Sequence, residues 1–79
     1  MYWHLDIEAT VNSIQIEASA GGASGGGVAL NCPDENTDYQ AEYETTESEV
    51  EAILQDSVEE CYSFSDTEET WQIIKSTAN

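Results

Sequence analysis

Hydrophobic and polar positions alternate with period two through most of the first half of the chain. From Tyr2 to Val11, Trp3, Leu5, Ile7, Ala9 and Val11 fall on one side; Tyr2, His4, Asp6, Glu8 and Thr10 fall on the other. That is the pattern of a half-buried strand, with the first set inward. Asn12-Ser13 is read as a two-residue turn. Ile14, Ile16 and Ala18 then alternate with Gln15, Glu17 and Ser19, so a second strand follows as a hairpin. Val28 to Asn31 is a short apolar run, read as a third strand stopped at Cys32-Pro33, because proline cannot donate to a ladder. Tyr39, Ala41 and Tyr43 alternate with Gln40, Glu42 and Glu44, a fourth strand with one aromatic and one acidic face.

The period changes at Thr46. Val50, Ile53, Leu54, Val58 and Cys61 recur at steps of three and four, the apolar stripe of an α-helix. Thr46 and Glu49 have the spacing of a reciprocal capping box at its start. Glu49, Asp56, Glu59 and Glu60 gather on the side away from the stripe, with Glu47 and Glu51 on a flank. No Lys or Arg lies in the stretch to pair with them. After the helix, Tyr62 to Ser65 alternates again, and Thr70 to Thr77 carries Trp71, Ile73 and Ile74. Their aromatic and β-branched content predicts a closing hairpin; a helix started by Ser65 or Asp66 is the alternative. The expected order is ββββαββ, an α+β domain with one amphipathic helix packed on a small antiparallel sheet. Its core is expected to hold Trp3, Leu5, Ile7, Ile14, Ile16, Val50, Ile53, Leu54, Val58 and Trp71.

Length adds that residues 1–79 form a single small domain with room for one modest core. The segment 20–27 holds all 5 glycines. It has neither the Lys-Ser/Thr pair nor the following helix of a phosphate loop, and is read as a flexible hairpin tip. No basic leader followed by an apolar run is visible, and no segment approaches membrane-spanning length. Cys32 and Cys61 fit no zinc spacing and are too few for a disulfide scaffold. Two reduced, buried thiols are expected, with a single disulfide as the alternative. A soluble cytoplasmic protein is the reading these features support.

Charge changes the picture most. The chain has 17 Asp and Glu against one basic residue, Lys75, for a net charge of -16. Such a field disfavours compaction, excludes nucleic acid and anionic membrane as direct partners, and directs attention to basic proteins.

Catalytic chemistry finds little support. His4 is the only histidine, so no multi-histidine metal site can be built. Cys-His catalysis would need a thiol to reach His4, and the negative field would raise the thiol pKa. Asp34-x-Asn36-x-Asp38 matches the opening of an EF-hand loop, but Tyr39 and Thr45 stand where Gly and a bidentate Glu are required. The expectation is a non-enzyme with no cofactor and no built metal site.

Small size, an overwhelmingly acidic composition and the lack of catalytic groups resemble phage-encoded DNA-mimic inhibitors, the class that includes anti-restriction and some anti-CRISPR proteins. The resemblance is one of composition across the whole chain, with no shared motif. It implies an inhibitor that blocks a basic nucleic-acid-binding protein of the host, in the host cytoplasm; a monomer or weak homodimer is expected. Partner contacts are expected first at Glu49, Asp56, Glu59 and Glu60, then at Glu42, Glu44, Asp66, Glu68 and Glu69. Two other readings compete. One is halophilic acidity, although Glu outnumbers Asp by 12 to 5. The other is an acidic adaptor that imitates nothing.

Overall fold

A computed structural model describes residues 2–10, 12–22, 25–32, 38–59 and 61–78. The elements are β1 (Tyr2–Thr10), β2 (Ser13–Ala20), β3 (Gly26–Asn31), β4 (Tyr39–Thr46), α1 (Glu47–Val58) and α2 (Phe64–Thr77). The strands form one antiparallel sheet in the order β3-β2-β1-β4, and both helices cover the same face of it. The domain is α+β, as the alternating pattern predicts.

The inward residues of β1 and β2 are the apolar ones. Trp3, Leu5, Ile7, Ala9, Ile14, Ile16, Ala18 and Ala20 are buried against Val50, Leu54 and Val58 of α1 and Trp71 and Ile74 of α2. Ile53, expected in the core, is only partly buried at its margin. Trp3 and Trp71 meet edge to face with ring centroids 4.8 Å apart, an arrangement favoured by the ring quadrupoles.

Ser13 is not part of the turn expected at Asn12-Ser13: it already pairs with Thr10 as the first residue of β2, while Val11, expected on the inward side of β1, lies outside the described residues. Asn12 takes φ 65°, the left-handed conformation that two-residue hairpins require and that asparagine tolerates. The capping box expected at Thr46 does not form. Thr46 is the residue preceding α1, but its side chain caps no backbone amide; its hydroxyl bonds instead to that of Ser48, at 3.1 Å.

The closing hairpin is overturned in favour of the helical alternative, which starts slightly earlier than Ser65 or Asp66. Residues from Phe64 to Thr77 are helical, and the capping box is here: the Ser63 hydroxyl accepts from the Asp66 amide, and the Asp66 carboxylate accepts from the Ser63 amide. Thr67, Thr70, Trp71 and Ile74 make its buried stripe at steps of three and four. The period is present in the sequence, but two of its core positions are threonines, which an apolar stripe does not include. The Thr67 hydroxyl lies 2.7 Å from the Phe64 carbonyl and 3.3 Å from the Gln55 side chain of α1, so its burial leaves no orphaned donor.

Cys32 and Cys61 are joined as a disulfide, against the expectation of free thiols. The sheet brings the end of β3 beneath the turn that follows α1, setting the two Cα atoms 5.2 Å apart, a bridging distance.

Candidate functional site

One face of the sheet carries the helices. The other carries the polar residues of all four strands, and strand register decides which of them meet. Asp6 of β1 lies directly opposite Glu17 of β2 and Glu42 of β4, so three carboxylates form a row across the sheet. Flanking rows hold Gln15, Glu8 and Gln40 on one side and Ser19, His4 and Glu44 on the other. Like charges placed directly opposite destabilise a sheet. The row is retained even so.

Counter-charge on this face is slight. His4 Nε2 lies 4.0 Å from Glu42 Oε1, the sole ion-pair geometry among the described residues, and both side chains are about half exposed. His4, Asp6 and Glu42 offer ligand atoms that all lie within 4.8 Å of one another. A zinc ion needs bonds of about 2.1 Å, which sets ligand atoms roughly 3.4 Å apart, so this group would have to close around one. Lys75, the only Lys or Arg, is partly buried and lies over an aromatic ring: its Nζ stands 5.3 Å from the Trp71 ring centroid.

The helical layer carries the second acidic surface. Glu49, Asp56 and Glu59 of α1 and its C-terminal end are exposed, as are Asp66, Glu68 and Glu69 of α2. Glu42 and Glu44 are exposed too, but on the opposite side of the sheet. The residues expected in one contact are thus divided between two faces, and Glu60 lies outside the described residues. Residues 34 and 36 of the EF-hand-like stretch are also outside them.

Beside β4 on the helical side, Tyr43, Glu49, Ala52, Ile53 and Asp56 line a shallow groove of about 310 Å³. Its floor is aromatic and aliphatic and its rim anionic. Tyr43 and Tyr39 share a hydroxyl–hydroxyl hydrogen bond of 2.8 Å. That bond, and secondarily partial burial, raise the Tyr43 pKa above the ordinary phenol value.

Asp6, Glu8 and Glu17 were not among the expected contact residues. Their alternation within β1 and β2 was visible, but only the pairing of β1 with both neighbours joins them to Glu42. The surface as a whole offers carboxylates to which guanidinium and ammonium groups can donate. No family model, curated protein or solved structure matches the chain.

Proposed function

We propose that this protein is a small acidic inhibitor that occupies the basic nucleic-acid-binding surface of a DNA-processing or host-defence protein and blocks access to it sterically. The observation that carries the reading is anionic surface on both layers with almost no counter-charge, the one Lys being turned against Trp71. Asp6, Glu8, Glu17, Glu42 and Glu44 lie within about 14 Å along the strands, counting roughly 3.4 Å per residue. That is one charge per about 3 Å, against about 1.7 Å of axis in duplex DNA. The α1 carboxylates from Glu47 to Glu59 extend over about 18 Å on the other side. The molecule measures 35 Å in its longest dimension, close to one turn of B-form duplex. A groove lined by Lys and Arg would draw in such a body by long-range steering.

No described helix is long and apolar enough to cross a membrane. The proposal sets the inhibitor in the cytoplasm of a host cell, as a monomer or weak homodimer and without catalysis or a cofactor. Cytosolic thiols are kept reduced, so the fold would have to hold there with Cys32 and Cys61 unbonded.

Halophilic acidity is the competing reading, and the row Glu17–Asp6–Glu42 favours it, since molar salt would screen that repulsion. One experiment separates the two. Circular dichroism from dilute buffer to several molar sodium chloride comes first, followed by competition for labelled duplex bound to restriction endonucleases and CRISPR surveillance complexes. The inhibitor reading expects a folded chain in dilute buffer that displaces duplex, with displacement reduced at least tenfold by reversing Glu49, Asp56 and Glu59 to Lys or by reversing Asp6, Glu42 and Glu44. Folding only in molar salt, or displacement indifferent to both reversals, would sink it.

A further inference from the structure

We propose that the free edge of β4 accepts an extended, basic segment of a partner protein as a fifth strand. This rests on the basic-partner reading above and narrows it to one edge and one backbone shape.

The two edges of the sheet are unequal. At β3 the edge is closed: the C-terminal end of α2 lies on Gly26, the Tyr62 hydroxyl donates to the Asn31 carbonyl, and Cys32 is bonded to Cys61. A Cβ on Gly26 would stand 2.5 Å from the Ile74 carbonyl oxygen, so only glycine admits this approach. At β4, eight residues pair with β1 on one side, and among the described residues no backbone bond is made on the other. Every second amide and carbonyl of such a strand turns outward, a template for another strand.

Edges of this length are commonly guarded by charge, and Glu42 and Glu44 supply it here. The guard has one sign. A second copy of β4 in antiparallel pairing would bring its own glutamates against these, which is unfavourable. Arginine or lysine on an incoming strand converts the same positions to favourable cross-strand pairs. Side chains of an added strand alternate between the two faces. One set would lie beside Glu42 and Glu44 on the open face. The other would lie over the groove, where Glu49 and Asp56 flank the Tyr43 ring and a guanidinium can meet both carboxylate and aromatic face. Both faces beside the edge are therefore anionic, which selects a basic strand over an apolar one.

The test uses the full chain with two capped decapeptides of equal charge. In one, arginine alternates with threonine; in the other, the same number of arginines is set among alanines to favour a helix. Amide hydrogen exchange is followed residue by residue at low salt. The alternating peptide should slow alternate β4 amides at least tenfold, and the alanine peptide should leave them unchanged. Glu42→Lys with Glu44→Lys should weaken binding of the alternating peptide at least tenfold while circular dichroism stays unchanged. The pair Glu42→Gln and Glu44→Gln repeats the comparison should the reversed variant not fold. Equal binding of both peptides, or protection confined to α1 with β4 unaffected, overturns the edge inference and leaves the basic-partner reading standing. Concentration-dependent protection of β4 without peptide would assign the edge to a second copy and also overturn it. Binding of neither peptide overturns both.

Discussion

Tyr43 is the residue whose surroundings move its chemistry most clearly. The Tyr39 hydrogen bond, followed by burial, holds the neutral phenol and raises its pKa. A pKa raised in the folded state contributes stability that is fully present below the unfolded value, about 10, and is lost as pH rises through the folded value. Stability should therefore decline above about pH 10. Tyr39→Phe should bring Tyr43 back toward ordinary behaviour and flatten that decline. Ultraviolet titration of the phenolates, with urea midpoints on both sides of the transition, checks this; an unchanged late-titrating phenol in Tyr39→Phe would contradict it. The Tyr39–Tyr43 pair was legible only in part. Alternation placed both on one face, but their hydroxyl contact depends on side-chain direction. The same limit applies to Lys75, whose contact with Trp71 no spacing announces.

At the level of elements, α1 was readable because its apolar stripe coincides with its buried stripe: Val50, Leu54 and Val58 are buried. The second helix was not, because Trp71, Ile73 and Ile74 have strand propensity and the residues completing the stripe are Thr67 and Thr70. Local propensity lost to tertiary burial there, with Ile73 left 51% exposed. The disulfide ties these elements to the sheet across a sequence separation of 29. A loop of that size is worth about 3.5 kcal/mol by chain entropy. Small domains have total stabilities of roughly 5–15 kcal/mol, so the bond is a large fraction. Reduction, or Cys32→Ala with Cys61→Ala, should lower unfolding free energy by about 3 kcal/mol at fixed salt in urea titrations. A loss below about 1 kcal/mol would mean that packing of α1 and α2 alone holds the sheet end.

For the whole molecule, charge opposes compaction, and the row Glu17–Asp6–Glu42 is where the structure concentrates that opposition. Asp6→Lys would replace two like-charge neighbours with two opposite ones. We expect a gain of about 1 kcal/mol at low salt that fades by about 1 M sodium chloride, read as a shift in urea midpoint. A destabilised variant, or a gain insensitive to salt, would show that the row is not under electrostatic strain. The amino-acid sequence by itself determined the four strands, the first helix, the sheet-facing core and the dominance of negative charge. Each of these is a periodicity or a sum, and periodicities and sums need no knowledge of neighbours. Tertiary structure chose the helix over the hairpin for α2 and the disulfide over free thiols for Cys32 and Cys61, and it alone decided that Glu42 faces Asp6 rather than Glu49 and that, among the described residues, β4 rather than β3 is the open edge. Those are statements about which distant segments lie side by side. Strand order, cross-strand register and helix placement create them, and all three follow from the best joint burial of the core rather than from any local run of residues.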